Sequence, residues 1–460
     1  MSIQTVNPAT NNLVKSFQEM TIREVDAAIS KSTLAFQDWK KTSYKERADL
    51  LHKVATLMRE KKKSLAKLIT LEMGKIISQA EGEIDLSADI LDYYATNGEK
   101  FLADKTFSPE YGEAFVRFTP MGVLLGVEPW NFPFYQVARF VAPNIMVGNT
   151  ILLKHASIVP QCAIAIEDLF KEAKAPAGLY INLLLSGKRT SSIVSDVRIK
   201  GVSLTGSEAA GASLASEAGK YLKKSVLELG GSDAFIILED ADIDKTVEWA
   251  VVGRMNNNGQ CCVASKRFIA VEAIADEFLR KFKDKLSKIK VGDPMDPTTE
   301  LGPLSSEEAI IHLLDQIKRS VDAGAKVLLG GNRINRPGAY MEPTILTGLH
   351  RKVPAYYEEL FGPVASFYRV RNEQEAIELA NDSAYGLGGS VFTKDIERGK
   401  RVANQIDTGM VYINHPTWTQ ADLPFGGSKG SGYGQELSEL GIDEFAIKKL
   451  IRISKLSDPF

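Results

Sequence analysis

A chain of 460 residues exceeds what one hydrophobic core usually supports, and with 44% hydrophobic and 25% charged residues it shows no long apolar-poor stretch that would stay disordered. Lys plus Arg number 56 against 58 Asp plus Glu, a formal net charge of −2 with no dense basic cluster, so a nucleic-acid partner is not expected. No run approaches the roughly 18 apolar residues of a membrane span, and the first residues lack a basic-then-apolar leader, so a soluble, cytoplasmic protein without a membrane partner is expected.

From Thr21 to about Asn97, apolar residues recur at three- and four-residue intervals, as in Val25, Ile29, Trp39, Leu50, Val54 and Met58, which predicts amphipathic helices. The rhythm changes at Arg117. Short β-type runs, Gly122–Val127 and Thr150–Leu153, then alternate with helical segments, and such alternation implies a parallel sheet. The clearest stretch reads strand Ile151–Leu153, helix Gln161–Ala173, strand Tyr180–Leu184, helix Ser191–Asp196, strand Gly201–Leu204 and a helix opening at Ser207, a doubly wound nucleotide-binding pattern. The turn Thr205-Gly206-Ser207 lies where phosphates sit in such sheets. It lacks G-x-G-x-x-G, however, and a plain Ser N-cap explains it as well.

A second α/β rhythm begins near Gly230 and runs to about Pro424, with strands predicted around Ser265–Val271 and Gly388–Phe392 and a helix over Glu307–Ala323. The Gly-rich segment from Phe425 reads as a return crossing. The tail Ile447–Ile453 alternates as a strand whose edge is available to another subunit.

Three cysteines, Cys162, Cys261 and Cys262, with no C-x-x-C spacing and five histidines, support neither a disulfide framework nor a metal site. Cys261 and Cys262 follow the polar loop Asn256-Asn257-Asn258 and Gly259-Gln260, where a thiol is reachable; a free cysteine taken alone is more often a small buried apolar residue. Asn131 between Trp130 and Phe132-Pro133 reads locally as a turn residue. Glu228, after Val226-Leu227 and before Leu229-Gly230-Gly231, stands in an apolar, glycine-tight context rather than the usual solvated one.

Pro129-Trp130-Asn131-Phe132-Pro133, Glu228-Leu229-Gly230-Gly231, Gly259-Gln260-Cys261-Cys262, Glu358-Glu359-Leu360-Phe361-Gly362-Pro363 and Pro424-Phe425-Gly426-Gly427, in this order, closely resemble the aldehyde dehydrogenase superfamily over nearly the whole chain. With the pattern above, the resemblance implies an α/β fold. A dinucleotide-binding domain spans 1–105 and 124–229, a catalytic domain 230–424, a return crossing 425–439, and a small β oligomerisation element 106–123 and 440–460. A homodimer or homotetramer is implied.

The resemblance also implies chemistry. Cys262, at the fourth place of Gly-Gln-any-Cys, is the nucleophile, and Cys261 falls at the variable place. The Asn131 side-chain amide and the Cys262 N–H hold the oxyanion, and Glu228 is the general base for thioester hydrolysis. Trp130, Lys154, Gly206, Ser207, Glu359 and Phe361 are implied cofactor contacts. Where many NAD-dependent relatives carry a Glu three residues past the lysine, this chain has Ser157, which spares a 2′-phosphate from repulsion; NADP is expected over NAD.

Across its length the chain is most similar to a shorter bacterial branch of that family that acts on succinate semialdehyde. Arg139, eight residues after Asn131, suits a carboxylate through paired hydrogen bonds; an ion pair at a helix surface or subunit contact is an equal reading. Tyr135 and Thr419 are further substrate candidates, and Asn256 stands where longer relatives carry a second Arg. Two other functions compete: a CoA-acylating dehydrogenase, which has no need of Glu228, and a non-catalytic dinucleotide-binding protein, which has no need of Cys262, Glu228 and Asn131 together.

Overall fold

The computed structural model describes residues 3–459, except the side chain of Lys188. Ahead of the helices lies a hairpin the sequence pattern does not reveal, Ile3–Asn7 paired antiparallel with Asn12–Phe17. The second strand is exposed along its length and lacks the alternation that betrays a half-buried strand. Thr21 then opens the helical region with a capping box to Glu24, and helices follow over Ile22–Trp39, Tyr44–Glu60, Lys62–Met73 and Ile77–Phe101.

Two larger sheets follow. In the first, Tyr180–Asn182, Thr150–His155, Val123–Glu128, Ile199–Thr205 and Lys224–Glu228 are parallel neighbours in that order, and Gly432–Tyr433 adds an antiparallel edge. The segment read as a return crossing thus contributes a strand to this sheet. Thr150–His155 is buried at every position, as a parallel strand covered on both faces must be, so it reads as an unbroken apolar run. The predicted strand Tyr180–Leu184 is shorter, and Gly201–Leu204 extends to Ile199–Thr205.

The second sheet has seven strands, in the order Lys326–Leu329, Thr344–Thr347, Val364–Val370, Ser265–Val271, Asp233–Ile237, Gly389–Phe392 and Tyr412–Ile413. All its pairings are parallel except that of Lys326–Leu329. A three-stranded antiparallel sheet joins Ala446–Ile453, Glu113–Pro120 and Lys105–Phe107. Among the described residues no helix is long and apolar enough to cross a membrane.

Candidate active site

The first sheet winds outward from Val123–Glu128 to Tyr180–Asn182, then returns to Ile199–Thr205 on the other side. The reversal leaves a crevice at the carboxyl ends of Val123–Glu128 and Ile199–Thr205, the place where such sheets bind nucleotides. Trp130 and Asn131 leave one strand end, Gly206 and Ser207 the other. Ser207 is the N-cap of the helix Glu208–Lys220, its Oγ accepting from the Ala210 N–H at 3.4 Å, and the Gly206 N–H donates to the Glu228 carbonyl at 2.9 Å. Lys154, 8% exposed on the neighbouring strand, has its ammonium drawn below the ordinary lysine value by burial, with no carboxylate beside it to offset the effect. Ser157 lies three residues further along, half-buried.

The Cys261-Cys262 loop begins where the helix Ile243–Met255 stops. Asn257, Asn258 and Gly259 all have positive φ, 54°, 56° and 76°, and turn the chain back on itself; asparagine tolerates this region better than most residues. Glycine is required at 259 on a second count, because a Cβ there would run into the Gly362 carbonyl. Side-chain amides stitch the loop down. Asn257 donates to the carbonyls of Asn131 (2.7 Å) and Gln260 (3.0 Å), the Asn131 amide donates to Gln260 O (3.2 Å), and Asn258 donates to Gly74 O and Pro303 O, both at 2.9 Å. Asn131, Asn257 and Gln260, the last of which stands two residues before Cys262, therefore belong to one hydrogen-bonded unit.

Cys262, partly exposed, and Cys261, 5% exposed, both line a cavity of about 410 Å³, and Cys261 also belongs to the hydrophobic core. The neighbouring Cys261 sulfur, then burial, raise the Cys262 thiol well above its ordinary value, with Arg139 and Lys266 acting the other way. Adjacent sulfurs titrate as a pair. A resting Cys262 is thus a thiol that needs a base.

Phe132, Tyr135, Trp418 and Thr419 share the cavity wall with Cys262, and no lysine or arginine lines it among the described residues. Arg139 is accordingly not a direct substrate ligand in this geometry. Its side chain is fully buried, ion-paired to Glu436, donating to Thr205 Oγ1 (3.1 Å) and Tyr135 Oη (2.9 Å), and packed over the Phe425 ring. The reason is helical geometry. Tyr135 and Arg139 are one turn apart on the helix Tyr135–Val147, and the residue nearer its start reaches the cavity while the other turns into the protein. Tyr135 Oη accepts from Arg139 and donates to Thr419 Oγ1 at 3.4 Å. Burial holds the Tyr135 phenol protonated.

Glu228 and Asn131 are 2% and 4% exposed, and neither lines the cavity. Strand register places Thr205 beside Glu228, and Glu128 follows Val127, the partner of Leu204, so Glu128, Thr205 and Glu228 form a row across three strand ends. Neither carboxylate oxygen of Glu128 or Glu228 has a hydrogen-bond partner. Burial raises both well above the ordinary carboxylate range. For Glu228, Arg139 opposes and Glu436 reinforces that rise.

On the cofactor side, Trp130 meets Phe361 edge to face at 5.7 Å, and Glu359 Oε1 accepts from the Gly231 N–H at 3.2 Å. Gly230 and Gly231 are small because a Cβ on the first would press on the Glu359 carboxylate and one on the second on the Cys262 carbonyl. The structure thus gathers Cys262, Asn131, Tyr135, Thr419, Trp130, Phe361 and Glu359 around one junction. Lys154 and Ser157 stand further along the nucleotide crevice.

Several buried charges around this junction escape a reading by motif. Arg254, fully buried, donates to the carbonyls of Gly259 (2.7 Å), Leu360 (3.4 Å) and Gly362, and burial lowers it to about 10. It clamps the Gly259 turn to the Glu359 loop. Glu83 accepts the N–H groups of Phe134 (2.8 Å) and Tyr135 (3.2 Å) and pairs with Lys75, whose ammonium lies 3.7 Å from the Phe132 ring centroid, so the turn after Asn131 is braced from below. Lys266 ties the Cys262 carbonyl to Glu359. The available signal was a charge inside an apolar element, as in Lys266-Arg267 opening Phe268-Ile269-Ala270-Val271, but that signal says nothing about the partner. No group of three or more His, Cys, Asp or Glu is placed to hold a metal ion among the described residues.

A nucleotide crevice facing a cysteine loop, with an amide donor and a buried carboxylate behind it, defines an oxidoreductase site of the thioester-forming kind. The aldehyde dehydrogenase family profile matches residues 1–451, and the chain belongs to that family. It is 51% identical over 448 residues to an NADP-type succinate-semialdehyde dehydrogenase of Deinococcus radiodurans, covering 97% of this chain and 94% of the relative. A probable NADP-type succinate-semialdehyde dehydrogenase of Synechocystis is 44% identical, covering 99% of this chain and 100% of the relative. Among solved structures, succinic semialdehyde dehydrogenase of Streptococcus pyogenes in complex with NADP+ superposes with a TM-score of 0.97 at 46% identity, covering 98% of this chain and 100% of that one.

Proposed function

We propose that this chain oxidises succinate semialdehyde to succinate with NADP as hydride acceptor, in a cytoplasmic setting. The observation that carries the reading is the Tyr135–Thr419 hydroxyl pair on the wall it shares with Cys262, backed by the buried Arg139. A carboxylate on the substrate accepts from Tyr135 Oη and Thr419 Oγ1, and Arg139 polarises the phenol without itself entering the cavity. The apolar wall of Phe132 and Trp418 suits the two methylenes between carboxylate and aldehyde.

Glu228, once deprotonated, accepts the Cys262 proton, and the thiolate adds to the aldehyde carbon. The carbonyl oxygen becomes an oxyanion held by the Asn131 amide and the Cys262 N–H. NADP held by Trp130, Phe361 and Glu359 would supply the hydride acceptor, and loss of hydride from the adduct would leave a thioester on Cys262. Glu228 first gives that proton up to solvent and then takes one from the water that attacks the thioester; succinate leaves, and the second proton returns from Glu228 to the Cys262 sulfur. That role for Glu228 favours water over CoA as acceptor. The Lys154 ammonium, with no carboxylate to pair with, and Ser157 three residues on suit a ribose 2′-phosphate, and Glu359 suits the ribose hydroxyls next to the nicotinamide.

The test is kcat/KM for succinate semialdehyde and butanal with each cofactor. Succinate semialdehyde is expected to win by about a hundredfold or more, since a site built to pair with a polar group rejects an analogue lacking it. Tyr135→Phe is expected to narrow that ratio. NADP is expected over NAD, and Ser157→Glu to reverse the order by about a hundredfold through like-charge repulsion. Equal values for both aldehydes end the substrate reading, and a clear NAD preference in the wild type ends the cofactor reading.

The same reading carries a homodimer or homotetramer. Strand Ala446–Ile453 is an edge strand with an unpaired side, and Ile447, Leu450 and Ile453 are exposed by 46%, 64% and 51%. Sedimentation equilibrium is expected to give two or four times the 50.5 kDa chain mass; a monomer at micromolar concentration rejects it.

A further inference from the structure

We propose that Lys266 is a positioning residue that sets the direction of the Cys262 N–H and joins the nucleophile to the cofactor-side carboxylate. The inference rests on Cys262 as nucleophile and Glu359 as ribose ligand. Lys266 is the second residue of the strand Ser265–Val271, buried at every position, and is itself 2% exposed. A buried ammonium persists only where its donors are met. Three acceptors meet this one: the Cys261 carbonyl at 2.8 Å, the Cys262 carbonyl at 2.7 Å and Glu359 Oε1 at 3.0 Å.

Peptide planarity turns those contacts into an orientation. The Cys261 carbonyl and the Cys262 N–H belong to one trans peptide and point in opposite directions. With the carbonyl held on Lys266, the Cys262 N–H is held facing away from it, and the second contact pins the following peptide as well. The donor assigned to the oxyanion therefore owes its direction to Lys266. Glu359 shares its Oε1 between Lys266 and the Gly231 N–H, which leaves Oε2 for a hydroxyl.

The ammonium also belongs to the charge environment of the two thiols. Arg139 and Tyr135 face the pair from the helix Tyr135–Val147, Lys75 from the turn before Ile77–Phe101, Arg254 from the helix Ile243–Met255, and Asp233 from the neighbouring strand. Of the cations, Lys266 is the one bonded to the nucleophile's own backbone.

The experiment uses the full-length enzyme with Lys266→Met, Lys266→Gln and Lys266→Arg, each also in a Cys261→Ala background that leaves one thiol to report. Iodoacetamide labelling of Cys262 is followed against pH without cofactor, the pre-steady-state burst of reduced cofactor on mixing with succinate semialdehyde, and NADP binding by tryptophan fluorescence. Lys266→Met is expected to move the labelling midpoint up by about one pH unit, a tenfold slower reaction below it. The burst rate is expected to fall about a hundredfold, as for loss of one oxyanion donor. NADP binding is expected to weaken several-fold, kcat to fall more than KM for the aldehyde rises, and Lys266→Arg to recover part of each effect.

Lys266→Gln keeps donors without charge and stands in if the methionine variant does not fold. A folded Met or Gln variant with the wild-type labelling profile, burst rate and NADP affinity overturns the role of Lys266. Wild-type enzyme that stays active after complete labelling of Cys262 instead overturns Cys262 as nucleophile, so the two failures are distinct.

Discussion

Cys262→Ala is expected to lower kcat/KM for the aldehyde by about ten-thousandfold or more, because every later step needs the sulfur–carbon bond. Cys261→Ala is expected to retain most of the activity. Both thiols line the cavity, but Cys262 is the more exposed, whereas Cys261 is buried and its truncation removes core packing. Removing Cys261 also removes the group that most opposes ionisation of Cys262. The pH at which Cys262 becomes reactive is therefore expected to fall in the Cys261→Ala enzyme. Steady-state kinetics on both variants check the assignment. A Cys262→Ala enzyme that kept a tenth of the wild-type rate would sink it.

Glu228→Gln is expected to separate the two halves of the reaction. Turnover should fall by about a hundred- to ten-thousandfold, the usual contribution of a general base, while the burst keeps its amplitude of one equivalent of reduced cofactor per active site but slows, because Cys262 also loses the base that takes its proton. The wild-type pH profile follows from the raised value of Glu228. Below that value the carboxyl keeps its proton and cannot take one from water; above it the base form accumulates and thioester hydrolysis reaches a plateau. Hydrolysis thus rises with pH in the wild type, and the Gln variant lacks that limb.

Burial is the main cause of the raised value, Arg139 opposes it and Glu436 adds to it. Glu436→Gln should therefore shift the limb to lower pH. Quenched-flow measurement of acylation and hydrolysis decides between outcomes. A Gln variant with the wild-type pH limb would exclude Glu228 as the hydrolytic base.

Much of this site is visible in short stretches of chain. Gly259 must be glycine because it combines a positive φ with close approach to the Gly362 carbonyl, and Gly230-Gly231 because Glu359 and the Cys262 carbonyl press against them. Constraints of this kind leave fixed residues at fixed spacing. The alternating strands and helices from Thr150 to Lys220 are equally plain, since their burial follows local periodicity. The hairpin Ile3–Phe17 is not, because its second strand packs no face inward. The extra strand Gly432–Tyr433 is only two residues long, too short to carry a pattern.

The charged residues divide differently. Arg139 is on the expected helix, in the expected place along it, and yet its charge goes to Glu436, Thr205 and Tyr135 rather than to the cavity. Glu128 looks like the last residue of a strand before a proline. Only the register of three strands sets it in a row with Thr205 and Glu228. Lys266 and Arg254 look like ordinary cations until the Glu359 loop, some hundred residues later, folds over them.

The sequence by itself determined the family, the nucleophile candidate and the doubly wound crevice, because reacting groups and tight turns need particular residues at short range. The tertiary structure decided which charges face the substrate and which hold the machinery in place. A buried charge takes its role from whichever distant acceptor removes it from water, and that acceptor is not encoded beside it.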